Sequence, residues 1–583
     1  VRALAGGRSR DRAAGDRAAQ PGLNADPSIR PRSPWFLDSP AMGDAGRRSI
    51  RLPRPSRRQW SEVLSLAVPA LFVAIPLARM LGAGATTMEE ANVLVVAAGI
   101  LDGRLPHADV EYLYAPGTAW AVAGAFWTLG TSVAVERLVG LAYRLAFLWG
   151  IHRLARRWGS GTAACAAIAS WAVIAPFGLV AYPWIAGLGL LVAGAALVLD
   201  GDDGRRASIG AALCGLAVFH QLVLGPAALV VVLPALLSAD VRRRARLVTG
   251  LVAGLSPFLL HLVLVGPRSM LDGMVIDPIF RLRAGRSLPL PPDPSDSGDF
   301  FARLDDFLRG PDRLPGLDRP AQIAALFWLL VLATVALVVV ARRWRGPGRT
   351  RFATMAAIAV ALVPMALQRP SPNHLKFVGT FTVAVAVVAI AVPLSRRARS
   401  LAAPIALALV LGGLAVVAPH HIGRFTFEAF TDRPFDSSST TVVHDGRTLP
   451  IGRGAAAAAV ADEIHSVVSV VDYLTRPGDR LFVGPVDLTR TNYGDTFFYF
   501  LLPDLVPASR HLEMNPGLAN RFGGNLPVEL ASADVLVLTD RFDGWSEPNA
   551  SVRAGDPVAS AVVAGRFCDV AGTATWRVLT PCR

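Results

Sequence analysis

Eleven apolar runs separated by short polar loops fill residues 63–418. They lie at 63–81, 137–151, 161–179, 183–199, 207–223, 225–238, 247–265, 321–341, 351–367, 375–393 and 401–418. Most approach the roughly 20 apolar residues that carry a helix across a bilayer, so the pattern predicts a polytopic α-helical membrane protein. A further apolar run, residues 118–130 (TAWAVAGAFWTLG), covers too few positions to span. Read as an interfacial or re-entrant helix, with Trp120 and Trp127 as interface anchors, it leaves every Arg cluster between spans on one side. Counted as a span, it inverts all later ones. After residue 419 the pattern changes. Residues 455–474 read as a helix closed by Pro477–Gly478, and RLFVG (480–484), DVLVLTD (534–540) and WRVLT (576–580) read as strands. Interleaved helices and strands predict a small α/β layer domain over 420–583.

Composition agrees with the membrane class: 52% of the 583 residues are hydrophobic and 17% charged, against about 25% charged in soluble domains. The net charge of +14 does not imply a nucleic-acid partner. Residues 1–60 hold thirteen Arg against five Asp, and most other Arg clusters sit in loops between apolar runs. That distribution follows the positive-inside rule and suits contact with anionic lipid headgroups. Arg47, Arg48, Arg51, Arg54, Arg57 and Arg58 place the N-terminus in the cytoplasm. Residues 1–59 then read as a disordered basic cytoplasmic tail, and residues 60–419 as the transmembrane domain of an inner (plasma) membrane protein. Its first external loop is 84–134 and its long external loop 267–320, and the domain at 420–583 is extracytoplasmic. Lys376 stands alone among arginines, and Ala, Gly and Val abound, which points to a GC-rich bacterial coding sequence. Cys165 and Cys214 fall inside apolar runs as small core residues. Cys568 and Cys582 are placed to form a disulfide if their region faces an oxidising compartment.

The chemistry concentrates on the external face. The first loop carries Glu89, Glu90, Asp109 and Glu111, with Arg104, His107 and Tyr114 between and beside them. Ionisable groups pressed against a membrane are expensive and so point to function. The long loop supplies Asp277, Arg281, Arg283 and Arg286, and the segment QRPSPNHLK supplies Arg369, His374 and Lys376. Carboxylates facing cations suit transfer from a lipid-linked phosphate. Cations would hold the phosphate, and Glu89, Glu90 or Asp109 would deprotonate an acceptor hydroxyl. Arg281, Arg283, Arg369, His374 and Lys376 are the donor phosphate candidates. Arg104, His107, Glu111 and Tyr114 are the substrate-binding candidates. The acids could also share a divalent cation, although nothing in the sequence demands one. His420 and His421 read as surface residues.

An acidic pair outside the first span, then G-x-L-P-x-x-D, then an aromatic residue with Pro-Gly, then a surface helix: this order resembles the GT-C superfamily of integral-membrane glycosyltransferases. Its members include protein O-mannosyltransferases and lipid A aminoarabinose transferases. The resemblance covers residues 60–420 and is specific in the first loop. It implies a GT-C fold, a polyprenyl-phosphate sugar donor and a catalytic acid in the first external loop. Glu89 or Glu90 would match the first acidic position, Asp109 the Asp of the Y-x-D segment, and Arg369 and His374 a late external loop. The pair is Glu-Glu where Asp-Glu is commoner, and Ala115–Pro116 replaces Pro-Pro, so the identity of the base stays open. The C-terminal region looks like one attached to uncharacterised actinobacterial members. The expected partners are thus a polyprenyl-phosphate sugar, an envelope glycan, lipid or protein as acceptor, and the bilayer. A transporter or flippase for a lipid-linked envelope precursor is the rival, with Arg144 and His220 as its in-span ionisable groups. A non-catalytic envelope scaffold is the second rival.

Overall fold

The computed structural model describes residues 57–85, 89–200, 204–282, 288–292, 319–398, 400–419, 435, 438–491, 493–541 and 555–582. Most of the basic tail, Arg283, Arg286, His420 and His421 lie outside these residues.

Helices form over all eleven apolar runs. The first run is divided, because Pro76 cannot donate a helical hydrogen bond: α1 is Arg57–Ala74 and α2 is Leu77–Leu81. Two shorter helices follow, α3 (Glu89–Leu101) and α4 (Gly117–Leu129). Next come α5 (Val133–Ala155), α6 (Ser160–Ile174), α7 (Pro183–Asp200), α8 (Gly204–His220), α9 (Gly225–Ser238) and α10 (Val241–Val265). A short α11 (Pro267–Leu271) runs into a π-helical segment, Asp272–Arg281. The membrane part closes with α12 (Arg319–Arg343), α13 (Arg349–Gln368), α14 (Pro372–Leu394) and α15 (Ala402–Val417). Of these, α6, α7, α10, α12, α13 and α14 are long and apolar enough to cross a membrane, and α1, α9 and α15 are shorter apolar helices.

Residues 118–130 form α4, whose 13 residues reach only about 20 Å at 1.5 Å per residue. That falls short of the ~30 Å hydrocarbon core. It packs on α3, α5, α7 and α8.

The C-terminal part opens with a hairpin, β1 (Thr440–His444) and β2 (Arg447–Gly452), turned at Asp445–Gly446. Then come α16 (Gly454–Leu474), β3 (Arg480–Pro485), α17 (Phe497–Leu501), β4 (Val506–Pro507), α18 (Leu526–Ala531), β5 (Val535–Thr539), α19 (Val558–Arg566), β6 (Phe567–Gly572) and β7 (Trp576–Pro581). Five strands make one sheet in the order β4-β3-β5-β7-β6, parallel from β4 to β5 and antiparallel from β5 to β6. Cys568 on β6 and Cys582 just after β7 are joined as a disulfide. By length and apolarity α16 could also cross a membrane, yet its packing says otherwise. Ala461, Ile464, Val467, Val468 and Val471 are buried along one stripe, and the helix contacts β1, β2, β6 and β7. Such a stripe is that of a surface helix covering a sheet.

The two parts share a core. Residues of α3 and α4 (Val93, Leu94, Val96, Ala119, Val122) pack in one buried cluster with Val442, Ile464, Val467, Phe497, Phe498, Phe500 and Trp576. The first loop therefore serves as a floor for the sheet domain. At its start the Ala85 N–H donates to the Pro450 carbonyl at 2.7 Å. A Cβ on Gly84 would lie 2.5 Å from the Ile451 oxygen, so only glycine admits this approach.

Candidate functional site

Glu89 and Glu90 open α3 as sequence neighbours about 100° apart around the helix, and the two face different surroundings. Glu90 is fully buried. Its oxygens accept from Arg137 Nε at 2.7 Å and Nη2 at 2.9 Å, while Arg137 Nη1 donates to the carbonyls of Leu81 and Ala83. Four of the five guanidinium N–H donors are thus satisfied. Glu136, also buried, accepts from the Ala181 N–H. Arg144 donates to the Gly140 and Val180 carbonyls. Together these polar groups tie α3, α5 and the connection before α7 to one another.

Glu89 is exposed. The Tyr182 hydroxyl donates to its Oε2 at 2.5 Å, and Oε1 has no hydrogen bond to a described residue. Burial, and then the nearby Glu89 carboxylate, hold the Tyr182 phenol protonated, well above the usual phenol range. Tyr182 borders an aromatic layer. Its ring lies 6.0 Å from Phe377 and 6.3 Å from Phe177, and Phe177, Phe377 and Trp184 stack in sequence. On this layer rests Lys376, buried in the first turns of α14, with Nζ 4.7 Å from the Phe177 ring centre. Ser371 caps the same helix by accepting from the His374 N–H, and its hydroxyl also meets His374 Nδ1 at 2.7 Å. Arg369 is half-buried two residues before that cap. Glu89, through Tyr182, and Lys376, near the start of α14, therefore border one aromatic layer.

The remaining acids of the first loop lie elsewhere. Asp109 is exposed, and its carboxylate accepts from the Leu105 N–H at 2.7 Å, closing its own turn. Arg104 pairs with Asp102 at the surface. His107, in the left-handed region at φ 71°, belongs to a one-way hydrogen-bond chain. Trp120 Nε1–H donates to His261 Nδ1, which leaves His261 Nε2 to donate to His107 Nδ1, and His107 Nε2 to donate to the Tyr114 carbonyl. This order requires both imidazoles to be neutral. Burial first, and His261 second, lower the His107 pKa to about 4. The Pro-Gly turn is explained nearby: a Cβ on Gly117 would sit 2.7 Å from His220 Nδ1 and 2.8 Å from the Phe219 oxygen. His220 itself is engaged with the Tyr143 hydroxyl and the Leu216 carbonyl.

Glu111 is linked to the sheet domain by three contacts. Its N–H donates to the Arg510 carbonyl, one carboxylate oxygen makes a short contact with His511 Nδ1, and the other accepts from Asn515. Burial opposes a charge on His511, but the Glu111 carboxylate more than reverses this and raises its pKa. Beside this pair opens a cavity of about 170 Å³, also lined by His107, Asp277, Arg281, Arg510 and Arg521. Arg281 is held by Asp277 at 2.7 Å. Arg283 lies outside the described residues. His511, Arg510 and Tyr182 are the site residues that sequence reasoning did not single out; the RHLEMNPG segment, with a cation beside a histidine, was the available signal. Among the described residues, the group close enough to share a cation is His444, Asp445 and Asp472 in the sheet domain, not the first-loop acids.

The two histidines give opposite pH dependence. The folded state holds the His511 proton more tightly than the unfolded chain, so the Glu111–His511 contribution is complete below the ordinary 6.5 and is lost as pH rises through the raised value. His107 contributes fully above 6.5 and loses its contribution as pH falls toward about 4. Thermal unfolding in one detergent across pH 4–9 should therefore give a melting temperature that falls on both sides. His511→Gln should flatten the alkaline arm and leave the acid arm in place.

No family model and no curated protein sequence matches the chain. Among solved structures, the fold is similar to that of ArnT from Cupriavidus metallidurans bound to undecaprenyl phosphate. The two are 14% identical, the match covers 90% of this chain and 98% of that one, and the TM-score is 0.50. The same protein in the apo state matches at 15% identity, over 89% and 97% of the chains, with a TM-score of 0.46. The chain thus shares the fold of that ArnT structure along nearly its whole length.

Proposed function

We propose that the protein is a multi-pass inner-membrane glycosyltransferase that moves a sugar from a polyprenyl-phosphate donor to a hydroxyl of an envelope acceptor on the external face. One observation carries the reading. Glu89, held by Tyr182, and Lys376, near the start of α14, border the same aromatic layer. It also fits a fold similar to that of a protein crystallised with undecaprenyl phosphate. The N-terminus of α14 offers backbone N–H groups and a favourable dipole to a phosphate, and Arg369, His374 and Lys376 add positive charge there. The glycosidic C1–O bond to phosphate breaks as the acceptor oxygen bonds to C1. Glu89 takes the hydroxyl proton and passes it to solvent, and polyprenyl phosphate leaves.

Glu90 and Asp109 are then structural. The first neutralises Arg137 and the second closes a turn. Of the ionisable groups a flippase would use, His220 is engaged by the Tyr143 hydroxyl and the Leu216 carbonyl, and Arg144 is anchored through Nη1 to the Gly140 and Val180 carbonyls, with Nε and Nη2 unpartnered among the described residues. The test uses purified protein in vesicles loaded with polyprenyl-phosphate sugars and a mixture of envelope glycans and lipids. Release of polyprenyl phosphate with a new glycoside supports transfer. Movement of intact donor between leaflets, with no bond cleaved, would replace the reading with the flippase.

A further inference from the structure

We propose that the cleft between the first loop, the Asp272–Arg281 segment and the sheet domain binds an anionic sugar unit of the acceptor, with Arg510 and Arg521 holding its phosphate or carboxylate. This inference rests on the glycosyltransferase reading for the word acceptor, but not for the binding itself.

The cleft is built by three separate parts of the chain, which contribute Glu111, then Asp277 and Arg281, then Arg510, His511 and Arg521. Its charges are largely spoken for. Arg281 is paired with Asp277, and Glu111 with His511. Arg510 and Arg521 are different: among the described residues neither guanidinium has an ion pair or a hydrogen bond, although the Arg510 charge acts on both His107 and His511. Two unpaired guanidiniums at one cavity are suited to a phosphate or carboxylate, which arginine grips with parallel hydrogen bonds. The paired carboxylates around them remain hydrogen-bond acceptors for hydroxyl groups. A lining of this kind fits a polyhydroxylated acid and rejects a lipid tail. At about 170 Å³ the cavity lies below the ~300 Å³ at which pockets for drug-sized ligands begin, so it takes a single sugar unit. Its walls also come from the loop that holds Glu89, so an acceptor anchored there is held by the element that carries the proposed base.

The experiment measures binding to the full chain in detergent by calorimetry, without turnover. The probes are glucuronic acid, glucose 6-phosphate, uncharged glucose and inorganic phosphate. Saccharide acids should bind at least tenfold more tightly than glucose and than phosphate. Arg510→Ala and Arg521→Ala should each weaken them about tenfold with the melting temperature unchanged, and Asn525→Asp, which adds a negative charge to the lining, should do the same. Glucuronic acid and glucose 6-phosphate together distinguish carboxylate from phosphate as the preferred anion. Equal binding of inorganic phosphate would reduce the cleft to a simple anion site and overturn the sugar assignment. Absence of binding, or unchanged binding in the folded Arg variants, would overturn the proposal. Saccharide binding by a protein that transfers no sugar would leave the cleft standing and remove the transferase reading instead.

Discussion

Glu89→Gln is expected to lower the rate of sugar transfer by roughly 10²–10⁴-fold, the usual worth of a positioned general base, while the donor KM stays near the wild-type value. The amide keeps the length of the side chain, and its oxygen can still accept the hydrogen bond that Tyr182 gives to Glu89. What is lost is the ability to take a proton. Because Glu89 is exposed at the start of α3, the substitution leaves no buried charge behind, so the melting temperature should not change. Tyr182→Phe removes the hydroxyl that orients the carboxylate. Hydrogen bonds to charged groups are worth about 1.5–3 kcal/mol, so its rate should fall about tenfold or somewhat more, with the same KM. Asp109→Asn is the contrasting case: an amide oxygen can still accept from the Leu105 N–H, and transfer should continue. Steady-state kinetics on the three purified variants decides the matter. A Glu89→Gln protein with wild-type kcat would remove Glu89 from the mechanism.

The membrane helices were legible because the bilayer imposes a composition on every position of a span, so each could be read locally. The same holds for β3 and β5, whose apolar runs are buried on both faces of a parallel sheet. The edge strand β6 alternates poorly, with only Phe567 buried, and the β1–β2 hairpin is short, so neither stood out. The joint core of the first loop and the sheet domain was hidden for a different reason. Glu111 meets His511 and Asn515 some 400 positions away, and no local pattern in either segment encodes the other. The acids of the first loop illustrate the limit best. Glu89 and Glu90 are indistinguishable by type and by place in the chain, yet a single helical step turns one toward Arg137 and the other toward Tyr182.

That step makes a second large effect testable. Glu90→Ala is expected to destabilise the protein by about 3–5 kcal/mol, the cost of leaving one partner of a buried ion pair uncompensated. Arg137 would keep its charge in a site where its side chain is 3% exposed, without its ion-pair partner, held by the Leu81 and Ala83 carbonyls and by the field of the nearby Glu136. Arg137→Leu should be as damaging, since it leaves Glu90 buried near Glu136 and strips both carbonyls of their donor. Replacing both partners together, Glu90→Leu with Arg137→Met, should cost much less than the sum of the single changes, because the two orphaned charges vanish at once. Denaturant unfolding of the four proteins in one detergent measures the coupling. Glu90→Gln then separates stability from chemistry: its neutral amide retains part of the contact, so enough should fold to be assayed, and that folded fraction should transfer sugar at the wild-type kcat. A Glu90→Gln protein as stable as wild type but unable to transfer would reverse the assignment, making Glu90 the base and leaving Glu89 to hold Tyr182.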